Sequence, residues 1–159
     1  MQTKFDPDTI GMLLSDVSRL LRGAFDRSIN ASALGITPGE ARTLIQISAY
    51  GRSKQADIAV RMGIEPMTLS AYLDRLEALG LVERVPDACD RRAKNVVVTE
   101  KADPLLADIK AEMRILMGDV TAGLDLEERE DLRAKLIILR QNLRQPDRSS
   151  NPGEKGENS

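Results

Sequence analysis

Histidine and tryptophan are absent from this 159-residue chain, and cysteine occurs once, as Cys89. Without histidine there is no usual general base near neutral pH, no Ser-His-Asp or Cys-His nucleophile and no His-containing zinc site. One cysteine excludes an internal disulfide framework and a Cys-only metal cage within one chain. Phe5, Phe25, Tyr50 and Tyr72 are the whole aromatic supply, so an aromatic-stacked pocket would have few members. No apolar run reaches the roughly 18 residues that a transmembrane helix needs. The opening residues also lack a signal-peptide pattern. A cytoplasmic protein without membrane contact is therefore expected. An excess of one charge is missing too, with 23 Lys+Arg against 25 Asp+Glu for a net −2. Taken whole, that balance argues against a nucleic-acid partner. No region is strongly basic either, since residues 37–100 carry nine basic and nine acidic side chains.

Apolar residues, by contrast, make up 42% of the chain, enough to build a core for one compact domain or two small interlocked lobes. Both ends read as amphipathic helices. Ile10, Leu13, Leu14, Val17, Leu21, Ala24, Phe25 and Ile29 recur at three- and four-residue steps and share one face. A second stretch carries Leu105, Leu106, Ile109, Met113, Leu116, Met117 and Val120, with Asp103 as N-cap and Pro104 at N1. A third runs from about Glu127 to Leu143, acidic in its first turn and basic in its last, as the helix dipole favours.

The middle is punctuated. Thr37-Pro38-Gly39-Glu40 reads as a capping box opening a helix to about Ala49. Ser53 is placed to cap a helix from Lys54 to Met62, ended by Gly63, and a further helix runs from Glu65-Pro66 to Leu79. Two β-branched runs, Leu81–Val85 and Lys94–Val98, flank an eight-residue loop from Pro86 to Ala93 and predict a hairpin. The last residues, 146–159, contain breakers and no apolar residue and are expected to be disordered.

A helix pair joined by Gly63-Ile64-Glu65 has the loop length of a helix-turn-helix, whose second helix lies in the DNA major groove. Its outward N-terminal residues would be Glu65, Pro66, Met67, Thr68, Ser70 and Ala71, with Arg75 a turn later. Thr and Ser can bond phosphates or bases, Met can meet a thymine methyl, and Arg can reach phosphate or guanine. Helix pairs of this kind also occur as ordinary packed hairpins. The basic β-hairpin that follows favours the winged form: residues 84–94 carry four basic and two acidic side chains. Asp90, Arg91, Arg92 and Lys94 sit in or beside its loop, where paired arginines suit a minor groove and Asp90 could orient a guanidinium.

The segment Ser53–Ala102 resembles the DNA-binding core of the MarR family of transcriptional regulators. The matching residues are Ala56-Asp57-Ile58-Ala59, Met62-Gly63-Ile64, Leu73-Asp74-Arg75-Leu76-Glu77, Gly80-Leu81-Val82-Glu83-Arg84, Asp90-Arg91-Arg92 and Val98-Thr99-Glu100-Lys101. The resemblance implies a mainly α fold with a winged helix-turn-helix core and β-hairpin wing, flanked by long N- and C-terminal dimerisation helices. It divides the chain into an N-terminal arm and dimerisation helix (1–36), a DNA-binding lobe (37–101), C-terminal dimerisation helices (102–145) and the tail. It also implies a homodimer on a palindromic double-stranded operator, repressing transcription and released by a small molecule. On the wing, Asp90 and Arg92 occupy the family's Asp-x-Arg positions, with Arg91 or Arg92 as the minor-groove residue. Three departures stand out: Ala71 replaces a basic residue common in relatives, Ala102 replaces the usual Gly after Thr-Glu-Lys, and Glu65 replaces a Ser or Asp cap.

Metal-sensing relatives use His-rich sites, which cannot exist here, and no metal or cofactor is expected. Oxidant-sensing relatives carry a cysteine near the N-terminal helix, whereas Cys89 is expected to be an incidental exposed thiol on the wing. Elimination leaves a small organic effector held between the first helix, the Pro38–Ala49 helix and the Ala107–Val120 helix. Arg19, Arg22 and Arg42 are candidates to hold its anionic group. Tyr50 and Tyr72 are expected in the core or an interface. An enzyme is not expected, because the paired carboxylates sit at helix starts and in a loop without a convergent nucleophile. The alternative to a DNA-binding regulator is a winged-helix protein-interaction module, an antirepressor.

Overall fold

In a computed structural model, residues 3–144 are described, and the tail expected to be disordered lies outside them. The chain divides into two compact units, Met1–Gly118 and Asp119–Ser159.

In the first unit the order is α1 (Ile10–Ala31), α2 (Pro38–Tyr50), β1 (Ser53–Lys54), α3 (Gln55–Met62), α4 (Pro66–Ala78), β2 (Val82–Pro86), β3 (Lys94–Val98), a 3₁₀ turn (Glu100–Ala102) and α5 (Asp103–Val120), whose end passes into the second unit. Thr37 opens α2 with the expected reciprocal bonds: Glu40 N–H donates to Thr37 Oγ1 (3.2 Å), and Thr37 N–H to Glu40 Oε2 (2.9 Å). α3 ends on Gly63 at φ 62°, ψ 37°, the left-handed conformation that glycine adopts without a Cβ penalty. There Ile64 N–H reaches Ala59 O at 3.2 Å, turning the chain into α4 within three residues.

Leu69, Leu73 and Leu76 follow at helical spacing and are all 0% exposed. They pack with Leu44 and Ile47 of α2, Ile58 of α3, Val82 and Val96 into one core, which also takes in Phe25, Ile29 and Ile109. Tyr72, beside this stripe, is half-buried against α2. A Cβ on Gly39 would lie 2.4 Å from its ring, so only glycine allows this approach.

The sheet order is β1-β3-β2, antiparallel throughout, with Val82 opposite Val98 and Pro86 opposite Lys94. Three sequence expectations are corrected here. Pro86 belongs to β2, so the wing loop has seven residues, Asp87 to Ala93, rather than eight. Ser53 is not a helix cap, because it pairs in β1 opposite Val96 and its hydroxyl donates to Gly51 O (3.0 Å); Lys54 holds the N-cap position without a side-chain bond. Asp103 is the first residue of α5 rather than its N-cap, since the 3₁₀ turn leads directly into that helix. Ala102 is fully buried in this turn, where its methyl group joins the core.

The second unit contains α6 (Leu126–Arg144). Asp125 and Glu128 cap it reciprocally: Glu128 N–H donates to Asp125 Oδ1 (2.9 Å) and Asp125 N–H to Glu128 Oε2 (2.8 Å). None of its residues is buried. No helix among the described residues is long and apolar enough to cross a membrane.

Candidate nucleic-acid interface

All but one of the positions predicted to face outward from α4 are exposed. Glu65, Pro66, Met67, Thr68, Ala71 and Arg75 are exposed, Met67 by 85%, while Ser70 is half-buried. Glu65 holds the N-cap position without a side-chain cap bond, so its carboxylate is left outside the first turn.

Arg84 of β2 ties this helix to the wing. Its Nη2 donates to Ser70 O (2.9 Å), and its Nη1 pairs with Asp74 Oδ1 (2.6 Å) and more distantly with Glu77 Oε2 (3.5 Å). The Arg84 side chain is only 14% exposed, whereas Asp74 and Glu77 stand 67% and 44% in solvent, so the part-buried bond to Ser70 O is the contact that water screens least. Helix and wing are thus held in one relative orientation. The sequence marks Arg84 as a basic residue of the hairpin and of the family-like motif, but not its bonds to α4, because those partners lie on a separate element.

The wing tip is organised by Asp87. Its Oδ1 accepts the N–H groups of Cys89 (2.9 Å) and Asp90 (3.1 Å), and its Oδ2 accepts Asn95 Nδ2 (2.9 Å). The Cys89 bond most of all, then those from Asn95 and Asp90, with some help from the charge of Lys54, holds the Asp87 carboxyl below its ordinary value of 3.8. Asp90 does not orient a guanidinium as expected; its Oδ1 accepts the backbone N–H of Arg92 (3.0 Å), because a short side chain in a tight turn reaches the nearby backbone first. Arg91, Arg92 and Lys94 are exposed and, among the described residues, make no ion pair. Cys89 is a free exposed thiol.

On another side of the first unit lies a cavity of about 290 Å³ with a mainly apolar lining, including Phe25, Tyr72, Met113 and Met117. Arg22 and Arg42 line it; Arg19 does not. Arg19 pairs with Asp16 at 3.2 Å in solvent. Arg42 is ion-paired with Asp26, so its charge is already compensated. The cation that sequence reasoning missed is Arg61 of α3. It lines the cavity, stacks 4.5 Å from the Tyr50 ring centroid and donates from Nη2 to Ser53 Oγ (3.0 Å). Arg61 Nε and the neighbouring Gln46 Oε1 are buried without a protein partner. Nothing in the spacing along α3 marks Arg61 as a wall residue; the lateral packing of α3 against α2 does.

An exposed helix start after a three-residue turn, locked to a basic hairpin, defines a winged helix-turn-helix protein. A family model described as MarR family matches residues 34–93. The solved transcriptional regulator PA3341 is 36% identical, over 85% of this chain and 98% of that one, with TM-score 0.66. A MarR-family regulator from Rhodococcus sp. RHA1 is 27% identical over 86% of this chain and 96% of that one, with TM-score 0.73. BpsR of Bordetella bronchiseptica, whose DNA binding is regulated by 6-hydroxynicotinic acid, shares the fold at 21% identity over 91% of this chain and all of its own, with TM-score 0.67. The chain belongs to the MarR family of DNA-binding transcriptional regulators.

Proposed function

We propose that the protein is a homodimeric, cytoplasmic repressor that binds a palindromic operator and leaves it when a small organic anion occupies the cavity. The observation that carries the DNA half is the lock made by Arg84, which presents the start of α4 and the arginine-bearing wing as one reading head. In this reading residues 37–101 are the DNA-binding lobe, and residues 1–36 and 102–145 supply the dimer. Glu65, Pro66, Met67, Thr68, Ser70, Ala71 and Arg75 face the major groove, and Asp90, Arg91, Arg92 and Lys94 serve the wing. Uncovered apolar side chains support the dimer: Ile10, Leu20, Ile138 and Leu143 are 72%, 58%, 54% and 86% exposed in the single chain. A twofold protein requires an inverted repeat, with half-site centres about one helical turn (~10 bp) apart.

Release would pass through Arg61, which touches both the cavity and Ser53, the residue paired with Val96 of the wing strand β3. Arg22 and Arg61 are the cations left to hold an anionic group, because Asp26 already occupies Arg42.

A gel shift with the intergenic DNA beside the encoding gene tests the DNA reading. Specific binding should weaken steeply as salt rises, whereas no shift at any low salt would favour the antirepressor. A thermal-shift screen of small organic anions tests the cavity, since a ligand of the folded state raises its melting point. The hit should lose its effect in Arg22→Ala; an unchanged response would remove Arg22 from the site.

A further inference from the structure

A groove of about 580 Å³ runs between α3, the turn before α4 and the base of the wing. Lys54 enters it from β1, Arg92 from the wing loop and Lys94 from β3, over a floor that includes Ala59, Ile64 and Pro66. The β1–β3 pairing makes this meeting possible by setting Lys54 opposite Asn95, next to Lys94. No acidic residue lines the groove, although residues 37–100 carry as many acids as bases. Asp57 and Glu65 stand on the adjoining turns but do not line it. Asp87 is close enough for its carboxyl to feel the charge of Lys54. Both Asp87 oxygens are engaged by Cys89, Asp90 and Asn95, however, and among the described residues Lys54 makes no ion pair.

We propose that Lys54, with Arg92 and Lys94, clamps the sugar-phosphate backbone of double-stranded DNA between the recognition helix and the wing. The inference rests on the DNA-binding reading above. The occupant follows from duplex geometry, because a sugar-phosphate strand separates the major groove from the adjacent minor groove. If α4 enters one and the wing the other, the surface between them meets phosphates. Three cations without an ion pair suit phosphates, and an apolar floor suits the sugars. Of the two wing arginines, Arg92 lines this groove and Arg91 does not.

The test is the binding of Lys54→Gln in the full chain to the operator and to an unrelated duplex, across a salt series. Removing one phosphate contact per chain should flatten the log–log salt slope by about 0.9 per chain, so nearly 2 for a dimer. Affinity should fall by a similar factor on both duplexes, leaving their ratio unchanged. Lys54→Arg should restore wild-type binding, and the melting temperatures of all three proteins should match. Wild-type slope and affinity in Lys54→Gln would overturn the clamp while leaving the DNA reading intact. Loss confined to the operator, with the slope unchanged, would also overturn it. A wild-type protein that binds neither duplex would overturn both.

Discussion

The winged lobe and α6 carry the same kind of amphipathic pattern, yet they use it in opposite ways. In the lobe, Leu44, Ile47, Ile58, Leu69, Leu73 and Leu76 are all 0% exposed. In α6, Leu132, Leu136, Ile138, Leu139 and Leu143 remain 36–86% exposed, and no residue of the helix is buried. The lobe completes its core within one chain. The C-terminal helix presents an apolar stripe that another chain covers in the proposed dimer, where burying each such side chain is worth roughly 1.5–3 kcal/mol. Periodicity predicts an apolar face; it does not say whose surface will cover it.

Substitutions in the two regions should therefore fail differently. Leu73→Ala leaves a cavity in a closed core and should cost about 2–5 kcal/mol in a denaturant titration, with the loss independent of protein concentration. A cost under ~1 kcal/mol would mean that the lobe is not closed as described. Leu136→Glu with Leu139→Glu should leave the lobe folded but yield monomers by sedimentation. Operator affinity should then fall by roughly 100-fold, as expected when two linked binding modules are separated. A double variant that stays dimeric would move the interface away from α6.

Gly39→Ala tests how tightly the lobe is closed. Its Cβ would meet Tyr72 at 2.4 Å, and overpacking of this kind costs about 1–3 kcal/mol. The cost should shrink when Tyr72 is also changed to Leu, which a double-mutant cycle measures. The smallest effect concerns the wing tip. Asp87 has a depressed carboxyl pKa, so its contribution is complete above its ordinary value of 3.8 and is lost as pH falls through the lower folded value. An NMR titration should show Asp87 protonating below 3.8, with the Cys89 and Asp90 amides losing protection in the same step. Titration at the ordinary value would remove Asp87 as the organiser of the loop.

The elements of the lobe were readable because their signals are local. The box from Thr37 to Glu40, the turn at Gly63 and the β-branched hairpin runs each declare themselves within a few residues. What escaped depends on side chains meeting across elements. A two-residue strand has no period to detect, so Ser53 and Lys54 read as a helix start. Arg84 lies in a motif and Arg61 between two, and neither spacing says anything about Ser70 or the cavity. Asp87 organises the loop because the hairpin brings Asn95 within its reach, a meeting that the spacing of Asp87 in the sequence does not show. The net charge is uninformative for the same reason, since a balanced sum conceals a groove lined by three cations and no acid.

The central claim is that two lobes, joined through apolar faces that one chain leaves open, read DNA together. Footprinting of the protein on the intergenic DNA beside its gene, with the number of bound chains counted on the same fragment, tests it most directly. Two chains should protect an inverted repeat whose half-site centres lie about 10 bp apart, or a multiple of that spacing. A single bound chain, or protection of a site without twofold symmetry, would contradict the account.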